Sequence, residues 1–589
     1  MFKGEYPRPN FQREKFMILN GSWDFDFDDL NVGLKEKWYK THEYEKKINV
    51  PFAFQTKLSG INDQGFHDYM WYHTTFVVPK TWKKEIFLNF QAVDYECIVF
   101  INGNEVFTHK GGNTKFSINI TNYIKKNEND LVVYVYDPST DETISRGKQA
   151  WELEPSSIWY DRTSGIYQTV WIEEIDRLGI KNIKITPDID NGEIILDVEA
   201  YENSSKVINV LVIDNGNIIQ NNTYSIDSKL HTLIKIWGEK IFERNLHDSG
   251  KTWSPENPYL YDIVFELKDM KGKSCDKVKS YFGMRKISCE NGKILLNNRP
   301  YFLKMVLNQG YFRNSLLTAP NDELLVNDIK ISKEFGFNGC RIHQKVEEER
   351  FLYYADKLGF LTTLELPSAQ IYSSSLALID EWVDMVKRDY NHPSLIMYVP
   401  FNESWGIGDV ANLVQEQMYV NTFVTLTKSI DNSKLVVSND GWEQTIGDVC
   451  AIHNYSHGSI GDLKKQNEFK KSLSSVEKIL SSYPGKRDVY ARNYSYNSQP
   501  IILSEFGGIS FKKKDQNVNG WGYTSTKTEE EFLKELNRLF DVILDSNDIV
   551  GFCYTQLTDV MQEINGLCDY DRNFKIKPED LKRILDKFK

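Results

Sequence analysis

At 589 residues the chain is too long for one hydrophobic core, and at ~100–200 residues per domain three units are expected. A composition of 41% hydrophobic and 26% charged residues is that of a soluble globular protein, with 13% aromatic residues supplying flat apolar surface for cores and sugar sites alike. A formal net charge of −12 without a long Lys/Arg run excludes nucleic acid as an expected partner.

The opening MFKGEYPRPNFQREKF carries charges where a secretory leader needs an apolar run, and no stretch approaches the ~20 apolar residues of a membrane span. A cytoplasmic protein without membrane contact is expected. From about residue 15 to 175, IFLNFQAVDYECIVFINGNEVF and NDLVVYVYD alternate apolar and polar residues, with Asn102-Gly103 set for a hairpin turn. This predicts an antiparallel β jelly-roll sandwich over 1–176. A second strand-rich stretch, with EIILDVEAY, INVLVID and YDIVFELKD, predicts an immunoglobulin-like β-sandwich over 177–285.

After about 286 short apolar strands alternate with amphipathic helices, predicting a (β/α)8 barrel over 286–589. Its strands are placed at 301–306, 337–342, 360–366, 395–401, 434–439, 448–453, 500–505 and 549–555. Asn321 should cap a helix that Gly336 stops, Gly359 should stop the next, and the polar stretch 456–499 reads as a long loop over the barrel mouth. Seven scattered cysteines, never spaced C-x-x-C, read as reduced structural residues. No metal and no cofactor is expected, and His-x-x-x-His is absent.

A barrel exposes side chains to a shared pocket at the C-terminal ends of its strands. The polar residues there are Asn308, Arg341, His343, Glu365, Asn402, Glu403, Asn439, Asp440, His453, Tyr455, Glu505 and Gln556. Glycoside hydrolysis needs two carboxylates across one pocket, one to protonate the leaving oxygen and one to attack or to activate water. Asn-Glu occurs four times, but only Asn402-Glu403 follows a strand-like apolar run, LIMYVPF; Glu505 lies in PIILSEFGG, where two glycines permit a tight turn. Glu365 is a competing carboxylate. Trp521, in NGWGY, is a candidate for stacking on a sugar face.

The chain resembles glycoside hydrolase family 2 over nearly its whole length. The resemblance rests on PRPNFQREKFMILNGSWDF, RGKQAWELEPSSIWYDRTSGIYQTVWIE, GMRKISCENGKILLNNRPYFLK, NGCRIHQ, NHPSLIMYVPFNESWG and SEFGG. It implies Glu403 as acid/base, Glu505 as nucleophile, Asn402 as the contact to the sugar 2-hydroxyl, and Arg341 and His343 as parts of the substrate pocket. It further implies retention of configuration, with the carboxyl groups roughly 5–5.5 Å apart. Glu403 is expected to be held protonated by its apolar surroundings and by Glu505, with Arg341 keeping Glu505 ionised.

In the jelly-roll loop SSIWYDRTSGI, Trp159 and Tyr160 are candidate lid residues. The Asn-x-Lys element that grips the sugar carboxylate in β-glucuronidases is missing from QEINGLCDYDRNF, so a neutral β-galactoside is the expected substrate. β-Glucuronides and β-mannosides are the alternatives within this chemistry. A catalytically inactive carbohydrate-binding protein is the alternative outside it, and self-association into a homo-oligomer is left open.

Overall fold

The computed structural model describes residues 3–237, 250–372, 376–513 and 520–588. A six-stranded and a four-stranded antiparallel sheet form the N-terminal sandwich. The first runs in the order Lys46–Val50, Gly21–Phe27, Tyr69–Val77, Glu128–Tyr136, Glu96–Ile101, Asn104–Lys110, and the second in the order Phe16–Ile18, Val170–Ile175, Glu85–Phe90, Phe116–Asn119. Alternation sends Trp23, Phe25 and Val133 from one sheet and Leu88 and Phe90 from the other into a common core. At the predicted hairpin Ile101 pairs with Asn104, and Asn102 (φ 52) and Gly103 (φ 78) both take the left-handed backbone that matches strand twist.

The second sandwich stacks a three-stranded sheet on a four-stranded one. Lys206–Asp214 shows the cause plainly, with every second residue buried. Arg13 locks the two sandwiches together, donating from Nη1 to Glu173 Oε2 (3.2 Å) and from Nη2 to Asp276 Oδ2 (2.8 Å).

Eight parallel strands follow: Leu303–Asn308, Gly339–Ile342, Leu361–Glu365, Leu395–Val399, Leu435–Val436, Cys450–Asn454, Ile501–Gly507 and Ile549–Thr555. Each overlaps a strand expected from the sequence. They pair in the order 5-4-3-2-1-8-7-6, and a single Gly441–Ile452 bridge spans the gap between the fifth and sixth. Asn321 caps helix Asp322–Glu334 by accepting from Leu324 N, and Gly336 and Gly359 carry the positive φ that ends their helices.

The stretch 456–499 is not the continuous loop expected. It contains helices Leu463–Ser472 and Val476–Leu480, capped by Asp462 and Ser475. Each buries a single residue, Phe469 and Ile479, so their polar sequences carry little helical periodicity. All seven cysteines are free, and no described helix is long and apolar enough to cross a membrane.

The N-terminal sandwich also reaches the barrel mouth. Gly147 N donates to Ser368 O (2.9 Å) and Gln370 Nε2 donates to Gly147 O (2.8 Å). These bonds pin a sandwich loop over the ends of the barrel strands.

Candidate active site

Beyond the fourth barrel strand the backbone turns through two consecutive left-handed residues, Glu403 (φ 53) and Ser404 (φ 61). For non-glycine residues such geometry costs of order 1–3 kcal/mol each and needs external bonds to hold it. Asp440 O accepts from Glu403 N (2.8 Å) and Asn439 Oδ1 accepts from Ser404 N (3.0 Å), so the segment after the fifth strand aims Glu403 into the barrel. Glu505 arrives from the seventh strand. The tight turn after it is obligatory, because a Cβ on Gly507 would stand 2.4 Å from the Tyr554 ring.

Arg341, from the second strand and 2% exposed, is the hub between these elements. It donates from Nε to Glu365 Oε2 (2.8 Å), from Nη1 to Glu505 Oε1 (2.9 Å) and from Nη2 to Asn402 Oδ1 (2.8 Å). Tyr455 Oη donates to the other Glu505 oxygen, Oε2, at 2.6 Å. One oxygen of Glu403 and one of Glu505 lie within 4.8 Å of each other, so the two carboxylates share one small space.

The protonation pattern corrects one expectation. Burial pushes Glu403 upward, but the hydrogen bond and charge of His453 outweigh it and hold the carboxyl below its usual range. His453 itself is pushed up to about 10: burial opposes the charge, but Glu505, Asp440 and Glu403 overcome it. His343 is neutral, held well below its ordinary value by burial and then by the Arg341 charge. Its Nδ1 stands 3.1 Å from Glu365 without the alignment of a hydrogen bond.

Among the residues expected to bind substrate, Asn402, Arg341, His343, His453 and Tyr455 converge on the two carboxylates. Four others take different places. Glu365 is fully buried, bonded to Arg341 and to Gln344 N, and so orients the arginine from below. Asn308 is 2% exposed and spends its Oδ1 on Gly310 N, closing a turn. Gln556 is fully buried with Nε2 on Asn565 Oδ1 (2.7 Å). Trp521 donates its indole N–H to Ser157 O (2.9 Å) and clasps the sandwich loop to the barrel.

Trp159 does sit at the mouth, edge-on to Trp405 at 5.2 Å, two residues beyond Glu403. Tyr160 is no lid: it is fully buried and donates to Glu563 Oε2 at 2.5 Å.

The sequence places Asp440 at a strand end without a role; it accepts from His453 Nε2 at 3.0 Å. Two further residues, Glu563 and Lys148, escape the sequence reading. Glu563 is 3% exposed, its carboxyl raised by burial. Lys148, on the sandwich loop, is 9% exposed, and its ammonium lies 5.5 Å from the Trp159 ring centroid with no side-chain hydrogen-bond or ion-pair partner among the described residues. Its positive charge is felt at Glu403, His343 and Glu563. No local motif marked it, because the loop meets the pocket only through the tertiary fold.

The described donor cluster tight enough to ligate a metal is Glu403, His453 and Glu505. Within it His453 Nδ1 and Glu403 Oε1 are 2.7 Å apart, a hydrogen-bond distance.

Three family models match in succession: the glycosyl hydrolases family 2 sugar binding domain over 16–174, glycosyl hydrolases family 2 over 178–285, and the family 2 TIM barrel domain over 287–518. The chain belongs to glycoside hydrolase family 2. Within this family it is similar to the β-glucuronidase of Paenibacillus borealis, 23% identical over 91% of this chain and 90% of that protein. The rat β-glucuronidase is 22% identical over 90% and 88%. The Thermoanaerobacter pseudethanolicus β-galactosidase is 27% identical over 66% of this chain and half of its own length. Among solved structures, the Ruminococcus gnavus β-glucuronidase in complex with D-glucuronic acid superposes with a TM-score of 0.79, 20% identity and coverage of 99% of this chain and 100% of that one. This family 2 chain is therefore a β-glycoside hydrolase with the sugar-binding, immunoglobulin-like and barrel architecture.

Proposed function

We propose that this hydrolase is a retaining exo-β-glycosidase working by double displacement, with Glu505 as nucleophile and Glu403 as acid/base. The approach of the two carboxylates to within 4.8 Å carries the reading. Glu505 attacks the anomeric carbon as the glycosidic bond breaks, and the leaving oxygen takes a proton from Glu403. Water then gives a proton to Glu403, bonds to the anomeric carbon and displaces Glu505. Two inversions give net retention. Asn402, with its Oδ1 held by Arg341, has its Nδ2 available to the sugar 2-hydroxyl.

For the sugar, a β-glucuronide has the stronger support, in preference to the β-galactoside expected from the sequence. The relatives weigh toward β-glucuronidases. Lys148 supplies a cation at the mouth, where a uronate carboxylate needs one, whereas Lys575, the first lysine after the eighth strand, is already paired with Asp559 at 2.6 Å. A β-galactoside is the second reading, favoured by the buried Glu563 carboxyl, which suits hydroxyls better than a second carboxylate.

A panel of nitrophenyl glycosides (β-glucuronide, β-galactoside, β-mannoside, β-glucoside) against wild type and Glu505→Ala tests both levels. Turnover of one sugar that vanishes in the variant supports the chemistry and names the substrate. Silence from the folded wild type on every member removes exo-action on these four sugars and leaves an oligomeric or unusual substrate, or carbohydrate binding.

A further inference from the structure

We infer that His453 is a positioning residue that shares the acid/base proton with Glu403, so that the working acid is the Glu403–His453 pair rather than Glu403 alone. The inference rests on the assignment of Glu403 proposed above. His453 leaves the sixth strand between the two carboxylates and is 1% exposed. Its Nδ1 meets Glu403 Oε1 at 2.7 Å, its Nε2 meets Asp440 Oδ1 at 3.0 Å, and Glu505 Oε1 lies 3.5 Å from Nε2.

Titratable groups face the ring from four neighbouring strands, and His343 of the second strand, held neutral, also feels its charge. The fourth strand's end contributes Glu403, the fifth's Asp440, the seventh's Glu505 and the second's Arg341, whose Nη1 stands 3.3 Å from Nε2. Trp442 closes one side edge-on at 5.7 Å. Three carboxylates against one guanidinium favour a charged imidazole, and Asp440 fixes Nε2 as a donor, which leaves Nδ1–H directed at Glu403.

An acid catalyst beside an imidazolium would lose its proton if it acted alone. As a pair the two residues hold one exchangeable proton between Nδ1 and Oε1 across neutral pH. When the glycosidic C–O bond breaks and Glu505 bonds to the anomeric carbon, the leaving oxygen takes a proton from Glu403 and the pair is one proton poorer. Water then returns a proton to Glu403 while its oxygen bonds to the anomeric carbon and the Glu505 ester breaks, restoring the pair. Asp440 remains ionised throughout, held far below its usual range despite burial by Arg341 and His453.

The experiment measures pH profiles of kcat/KM for wild type, His453→Asn and His453→Gln on two glycosides of the sugar the panel identifies. One carries an alkyl leaving group that needs protonation and the other a 2,4-dinitrophenyl group that does not. The basic limb is expected to fall by about two pH units or more in both variants, because a lone carboxyl then governs it. The alkyl glycoside should lose about 10²–10⁴-fold and the dinitrophenyl glycoside far less. An unmoved basic limb, or equal losses on both leaving groups, overturns the inference.

Histidine-labelled NMR of the wild type gives a reading independent of whether the variants fold. His453 charged at pH 8 is expected, and a neutral His453 there overturns the pair. Glu403→Gln separates the two levels. If it still hydrolyses the alkyl glycoside, the acid/base assignment itself fails; if only the His453 variants behave as wild type, the assignment stands and the shared proton does not.

Discussion

Arg341 and Glu505 are joined at 2.9 Å through Nη1, while the same guanidinium holds Asn402 through Nη2 and Glu365 through Nε. One side chain thus sets the register between Glu505, Asn402 and the barrel wall. Arg341→Ala would leave Glu365 as a buried carboxylate without its cation, a loss of about 3–5 kcal/mol of stability by the usual cost of breaking a buried pair. Arg341→Lys keeps the charge but cannot form the three-way fork, so it should recover much of the stability and little of the kcat. Urea unfolding and steady-state kinetics on the two variants check this division.

With Glu505 acting as the proposed nucleophile, the loss of activity on its removal should be near-complete. Glu505→Ala is expected to reduce kcat on the order of 10⁶-fold, the scale on which enzymes depend on an activated nucleophile. Azide added to the variant should enter the vacated space and yield a glycosyl azide of inverted configuration, detectable by NMR of the product.

Tyr455→Phe removes the Oη donor, 2.6 Å from Glu505 Oε2. A preorganised donor of this kind is worth about 10²–10³ in kcat, so a fall of that order with little change in KM is expected. The ring still stacks on Tyr523 at 3.5 Å, so the melting temperature should barely move.

The sugar preference has a direct probe in Lys148. If a uronate is the substrate, Lys148→Met should cut kcat/KM on the β-glucuronide by about 10-fold or more, a cost of at least 1.4 kcal/mol for a charge-assisted bond, and leave neutral glycosides near their starting rates. A uniform loss across all sugars would assign Lys148 to Trp159 packing instead.

Acid should loosen the joint between the two sandwiches. Burial raises Glu173, but the Arg8 and Arg13 charges prevail and hold its carboxyl at about 2, against 4.5 in the open chain. A depressed carboxyl contributes stability that is complete above 4.5 and lost as pH falls toward 2. The group is fully buried, and the contribution at stake is roughly 3 kcal/mol. Unfolding free energies between pH 5 and pH 2 should fall more steeply for wild type than for Glu173→Gln, which begins lower.

The parts of the site legible in the sequence are those whose role follows from position along a strand. Glu403 and Glu505 end apolar runs that only a barrel strand explains, and Asn321, Gly336 and Gly359 announce their helix ends by local chemistry. Direction across the strand end was not legible. Glu365 and Glu505 look alike in sequence, yet one lies beneath Arg341 and the other faces the pocket. The state of Glu403 depends on a residue 50 positions away, and Lys148 comes from another domain, so neither leaves a local signature. The helices at 463–480 were missed because a nearly all-polar helix has no apolar stripe to read, although Asp462 and Ser475 stood as capping signals.

The loop carrying Lys148 and Trp159 is fastened by Ser368 and Gln370 near its start and by Trp521 and Gln562 near its end. Every one of these four anchors belongs to the barrel, and none is among the groups that perform bond cleavage. Drift in the rim can therefore proceed without rewriting the floor. A lineage could exchange one diet for another by altering a short stretch of the sandwich, its hydrolytic centre inherited intact.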